Sequence, residues 1–296
     1  ILWSSPSVLG GPKLMSPFMG AIQIEDYQLE PVSRALMLPR VNLLIADDVG
    51  LGKTIEAGLI VNELLARGRI KKILIVAPAS LTIQWQSEME EKFQLEFKII
   101  DRDYLLNLRR EYGLNANPFT SFPRLIISID YFKREQVKNL FAQSDPGNNA
   151  LKSWDLLILD EAHNAAPAGR QNYVKDSDRT KLLQAITPHF EHKLFLTATP
   201  HNGFTYSFTA LLELLDPLRF NRGPEVDQKQ LDLVMIRRLK ENIMNKNFAV
   251  RSIGAITIEN NDTDAKLFDL LNSYIKARLE TSNTTQISFA MTMLKK

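Results

Sequence analysis

A mostly parallel β-sheet with helices on both faces, an α/β fold, is what this chain predicts. Short, wholly apolar runs recur along it, the reading of strands buried on two sides. Several of these runs alternate with helical periods, which argues for parallel strands joined by crossover helices. The stretch ADDVGLGKTIEA, residues 46–57, directly follows the apolar run 41–45 and so sets a glycine-rich loop between a strand and a helix.

Residues 1–21 carry Pro6, Pro12 and Pro17 among glycines and serines and are expected to form an extended lead-in. Strand candidates follow at 41–46, 73–77, 97–100, 125–129, 156–159 and 194–196. Ile55, Leu59, Asn62 and Leu65 share one helical face, with Gly68 placed as a stop, and a second helix over 81–93 has Ser80 as its N-cap. The polar stretches 143–149 and 164–178 lack periodicity and read as exposed loops. Residues 204–215 form an amphipathic helix whose apolar face is read as core. After Pro217 the pattern changes. Residues 227–243 and 264–279 read as helices, with one strand at 253–258 between them. The expected domains are therefore the lead-in 1–21, an α/β domain over 22–216 and a mainly helical extension over 217–296.

Composition bounds the class. At 296 residues and 45% apolar content the chain can bury one large core with an extension, or two small ones. A net charge of +2 excludes a global polycation, so any nucleic-acid surface must be a local stripe. The absence of cysteine excludes a disulfide scaffold and a thiolate metal site, and fits a reducing cytoplasm. No run approaches 18 apolar residues and no basic, then apolar, leader opens the chain, so neither a membrane span nor secretion is expected.

The chemistry concentrates at three strand ends. In the first loop, Gly50 and Gly52 allow backbone N–H groups to turn toward a polyphosphate, with Asp48 and Leu51 completing the loop. Lys53 is placed to reach the β and γ phosphates and the Thr54 hydroxyl to hold Mg²⁺. The helix dipole adds to the same anion site. The strict pattern G-x-x-x-x-G-K-[ST] is not met, because Asp47 stands where the first glycine belongs. The strand at 156–159 ends in Asp160 and Glu161, at the ligand edge of an open α/β sheet. Asp160 is expected to bind Mg²⁺ directly or through a water, and Glu161 to orient and deprotonate the attacking water. The strand at 194–196 ends in Thr197 and Thr199, hydroxyls able to hydrogen-bond the acidic pair and report the γ phosphate. His189 and His192 have an H-x-x-H spacing, but two ligands are too few for a metal site.

In this order, DDVGLGKT, DEAH and LTATPHNG resemble motifs one, two and three of superfamily-two helicase-like ATPases, specifically the bacterial and archaeal part of the Swi/Snf branch. Tyr27 and Gln28 resemble the upstream glutamine motif that reads the adenine edge. Ala77 to Leu81 with Gln84, Trp85 and Glu88 resemble motif Ia, and ISIDY, ending at Tyr131, resembles motif Ib. Arg237, Arg238 and Lys240 resemble the basic signature that follows the first lobe. The resemblance implies a RecA-like P-loop NTPase lobe using ATP and Mg²⁺ in an ATP-dependent double-stranded DNA translocase or remodeller, nucleoid-associated in the cytoplasm. Implied partners are duplex DNA and RNA polymerase or phage-defence proteins, together with a second RecA-like lobe. The motifs of that lobe do not follow before Lys296, so the chain alone is expected to bind ATP weakly and turn over little. Nucleic-acid contacts are implied at Ser80, Trp85, Ser128 and Tyr131, although Trp85 and Leu81 read first as core packing. Two alternatives remain: an RNA-dependent ATPase or RNA helicase, and a nucleotide-sensing module without turnover.

Overall fold

A computed structural model of the chain describes residues 14–18, 24–145, 152–167, 176–200, 205–223 and 225–242, with isolated helical positions between 266 and 273. The chain divides into two compact units, Ile1–Lys246 and Asn247–Lys296. In the first, seven strands form one sheet: β1 (Asn42–Ile45), β2 (Ile73–Ala77), β3 (Lys98–Ile100), β4 (Arg124–Ser128), β5 (Trp154–Leu159), β6 (Phe190–Leu196) and β7 (Met235–Ile236). Their order is β3-β4-β2-β5-β6-β1-β7, and every pairing is parallel.

Among the described residues the helices are α1 (Leu29–Met37), α2 (Lys53–Ala66), α3 (Thr82–Phe93), α4 (Arg102–Tyr112), α5 (Pro118–Ser121), α6 (Ile129–Phe132), α7 (Glu135–Gln143), α8 (Asp178–Ile186), α9 (Thr205–Leu215) and α10 (Gln228–Val234). The period-2 geometry of the strands sends alternate residues to opposite faces. Leu43 and Ile45 of β1, Ile73 and Ile75 of β2, and Leu156 and Ile158 of β5 join one core, which α1, α2 and α3 cover with Val32, Leu59 and Trp85. Leu44, Leu74, Val76, Leu157 and Leu159 join the other, covered by Leu105, Phe119, Phe132, Leu183, Leu211 and Leu231 from α4 to α10. Both faces are dry. That is why the strands read as unbroken apolar runs rather than as alternations.

Three expectations need correction. The stretch 227–243 is not one helix: α10 stops at Val234, and Met235–Ile236 pair with Leu44 and Ile45 at the edge of β1. The compact unit that holds the sheet is Ile1–Lys246. Ser80 does not cap a helix, since Ala79–Leu81 form a 3-10 turn and α3 starts at Thr82 behind Leu81. The described part of the lead-in is docked rather than merely extended, with Leu14 in the core and the Met15 and Ser16 amides donating to Glu63. The proposed strand at 253–258 lies outside the described residues. Within 264–279 the described positions are helical. Among the described residues no helix is long and apolar enough to cross a membrane.

Candidate active site

Strands β1, β6 and β5 are adjacent and parallel, so the loops leaving their C-terminal ends meet at one edge of the sheet. After β1 the chain turns through Gly50 (φ +82°) and Gly52 (φ +90°) into α2, whose first residues are Lys53 and Thr54. A Cβ at Gly52 would lie 2.5 Å from Gln28 Nε2, and the positive φ strains any residue that carries one. Leu51, fully buried, anchors the loop, and its carbonyl accepts from the Tyr27 hydroxyl and from Gln28 Nε2, each at 3.1 Å. The Lys53 ammonium donates to the carbonyls of Asp47 (2.9 Å) and Asp48 (3.2 Å). The Asp48 carboxylate accepts from the Val49 amide at 2.7 Å.

After β5, the Asp160 amide continues the ladder to Val76 O at 2.9 Å, which fixes the start of the acidic pair. Its carboxylate accepts from the Glu161 amide (2.8 Å) through Oδ1 and from the Trp85 indole N–H (2.8 Å) through Oδ2. Each oxygen keeps a second lone pair for a metal-bound water or a cation. Glu161 adopts the left-handed region (φ 47°, ψ 48°), uncommon for a residue with a Cβ and a form of local strain that clusters at functional sites. Its carboxylate lies 3.2 Å from His163 Nδ1, which lies 3.0 Å from Thr197 Oγ1. Thr197, fully buried at the end of β6, accepts in turn from the Thr199 amide at 3.1 Å. The hydroxyl expected to touch the acidic pair therefore reaches it through His163. A cleft of about 340 Å³ is lined by Gly50, Gly52, Lys53, Thr54, Asp160 and Glu161, and on its far wall by Gln84, Trp85 and Glu88 of α3.

Beneath the loop lies a buried charged cluster. Asp47 and Glu56 are fully buried, and both accept from the Arg238 guanidinium. Burial, joined by the neighbouring Asp47 carboxylate, pushes the Glu56 carboxyl up to about 9 against the opposing pull of Arg238, so it carries a proton at neutral pH. Asp47, which spoils the glycine pattern, is therefore explained: its side chain is held in the interior by Arg238.

Two of the expected site residues are tied into the interior. Trp85 is 2% exposed and joins Met89 and Phe93 in the core, and the i, i+4, i+8 spacing of these three is the signal for a core face. Gln28 is 5% exposed and committed at both ends, its Oε1 accepting from the Glu25 amide at 3.1 Å, so it supports the loop. Ser80 is exposed. Ser128 caps α6 by accepting from the Tyr131 amide at 3.1 Å, and the Arg134 guanidinium lies 5.0 Å from the Tyr131 ring. His189 and His192 do not converge: His189 pairs with Asp145 at 2.8 Å and His192 accepts from the Val41 amide at 3.1 Å. The missed residues are His163, Glu56 and the destination of Arg238. Only an acid inside an apolar helix hinted at Glu56.

Residues 27–296 match the SNF2-related domain family. Over 192 residues the chain is 38% identical to the RNA polymerase-associated protein RapA of Yersinia enterocolitica and to that of Yersinia pestis, an alignment covering 65% of this chain and 18% of each relative. It thus spans under a fifth of the length of these curated relatives. Among solved structures, a Sulfolobus solfataricus SWI2/SNF2 ATPase core in complex with dsDNA superposes with a TM-score of 0.58 at 16% identity, covering 96% of this chain and 60% of that one. The same organism's ATPase core domain gives 0.56 at 15% identity, covering 96% and 58%. At such identities the likeness concerns the fold.

Proposed function

The chain belongs to the SNF2-related domain family, and from that premise we propose that it is the ATP-binding lobe of a motor that hydrolyses ATP to move on double-stranded DNA or to displace proteins bound there. One observation carries the reading: Lys53 and Thr54 after β1, and Asp160 and Glu161 after β5, line one cleft, with Thr197 between them at the end of β6. ATP is the substrate. The loop amides and the Lys53 ammonium bind its phosphates, exchanging the carbonyls of Asp47 and Asp48 for stronger anionic acceptors. Thr54 and Asp160 are the groups to hold Mg²⁺, which neutralises developing phosphate charge when bound. A Mg²⁺ that keeps waters and phosphate oxygens needs only such a sparse protein set. Among the described residues no cluster of three His, Cys, Asp or Glu side chains stands ready for a metal.

Glu161 orients a water and accepts its proton as the water oxygen bonds to the γ phosphorus and the bond to the β-bridging oxygen breaks, leaving ADP and phosphate. The Glu161–His163–Thr197–Thr199 chain of contacts is the path by which the presence of the γ phosphate is passed to the end of β6. Gln28 retains one N–H and one lone pair for an adenine edge. Duplex DNA is favoured as the track because the Sulfolobus core with the same fold was solved with dsDNA. RNA polymerase is the favoured partner because the relatives at 38% identity carry that association in their name. A second RecA-like lobe in the full-length protein completes the site.

The test is Glu161→Gln in the full-length protein. ATP binding within about twofold of native, with turnover reduced about 100-fold or more, is the expected pair of results. Undiminished turnover would remove Glu161 from the reaction, and function retained without any turnover would favour a nucleotide sensor.

A further inference from the structure

Arg238 lies beyond every phosphate motif in the sequence, yet its side chain is tied to the start of the phosphate loop. Its amide donates to Asp47 Oδ1 and its Nε to Asp47 Oδ2, both at 2.9 Å, a two-pronged grip on one carboxylate. Nη2 donates to Asp47 and Glu56, and Nη1 to the Tyr27 carbonyl. The guanidinium also sits 5.2 Å from the centre of the Tyr27 ring. The backbone follows the same course, with Ala46 N donating to Ile236 O at 2.7 Å and Asp48 N to Arg238 O at 3.0 Å.

These contacts bracket the loop. Asp47 is its first residue: its side chain is held by Arg238 while its carbonyl accepts from the Lys53 ammonium. Tyr27 repeats the arrangement, with its carbonyl on Arg238 and its hydroxyl on the Leu51 carbonyl in the middle of the loop. We propose that Arg238 is a positioning residue for nucleotide binding, one that sets the phosphate loop through Asp47 and Tyr27 and so joins loop geometry to the course of the chain leaving β7. The inference rests on the reading of the loop as an ATP site. It adds a contact partner for Asp47 and a link from the nucleotide to the segment that runs out of this sheet.

A purely structural role is the competing explanation, because a lone buried carboxylate would be destabilising wherever it stood. The double variant Asp47→Asn/Arg238→Gln separates the two. Removing both charges together avoids an unpaired buried ion, while the two-pronged grip is lost. In the full-length protein its thermal midpoint should stay within a few degrees of native, and KM for ATP should rise about tenfold or more with kcat falling less. Arg238→Lys supplies an independent reading: it keeps the charge beside Asp47, loses the planar fork and should raise KM severalfold. A KM within twofold of native in either folded variant would overturn the proposal. Lys53→Ala is assayed in parallel. If it abolishes turnover while both Arg238 variants keep a native KM, only the positioning role falls; if turnover is indifferent to Lys53→Ala, the ATP-site reading falls and this inference with it.

Discussion

Helix α2 carries two fully buried glutamates seven residues apart, and they are in opposite states. Glu56, under the loop, shares its space with the Asp47 carboxylate and is pushed up to about 9. Glu63, two turns on, is also removed from solvent, which works to raise it as well. Yet it is held below the ordinary range by the Ser16 amide, the Arg67 guanidinium and the Met15 amide. Its Oε2 accepts from Ser16 N at 2.7 Å and Met15 N at 2.8 Å, and its Oε1 from Arg67 Nε at 2.8 Å. Burial alone therefore does not decide whether an interior acid is charged. The count of donors against neighbouring acceptors does.

Glu63→Gln should show the difference most strongly. Whichever way the amide is turned, its NH₂ faces donors, and the loss of stability should be about 3 kcal/mol by urea denaturation. A cost below about 1 kcal/mol would mean that the carboxylate is not the anchor of the lead-in. The same residue gives a pH signature. Its folded pKa lies below the unfolded value, so its contribution is complete above about 4.3 and is lost as pH falls through the lowered folded value. The native protein should consequently lose stability faster than Glu63→Gln on acidification through that window, and parallel curves would contradict the assignment.

Gly58, between the two glutamates, tests the packing that buries them. A Cβ there would sit 2.1 Å from the Phe93 ring, where α3 crosses α2. Gly58→Ala should cost about 2 kcal/mol, despite the roughly 1 kcal/mol that alanine favours in a helix. Net stabilisation would show that the two helices separate readily. Glu56→Gln is the smallest expected effect, under about 1 kcal/mol at neutral pH, because the carboxyl it replaces already bears a proton. A cost equal to that of Glu63→Gln would collapse the contrast.

The same contrast separates what was legible in the sequence from what was not. β1, β2, β4, β5 and the end of β6 announced themselves because burial on both faces demands continuous apolar runs, and the loop and acidic motifs sit where those runs end. β7 did not, since two residues have no period and MIRR continues the pattern of α10. The Arg238 to Asp47 contact bridges 191 positions, and nothing local to either residue signals the other. Trp85 was read first as core, and its burial agrees; motif resemblance says where a residue stands but not which way it faces. The docking of Met15 and Ser16 on Glu63 was hidden for the same reason as Arg238: a backbone amide carries no sequence signature.

The most direct measurement is ATP turnover by the full-length protein, native and Lys53→Ala side by side, without nucleic acid, with linear duplex DNA and with structured RNA. Turnover stimulated by duplex DNA and reduced about 100-fold or more by Lys53→Ala is the expected result. Turnover that Lys53→Ala leaves intact would contradict the assignment of the β1 loop as the ATP site, and stimulation by RNA alone would move the track from DNA to RNA.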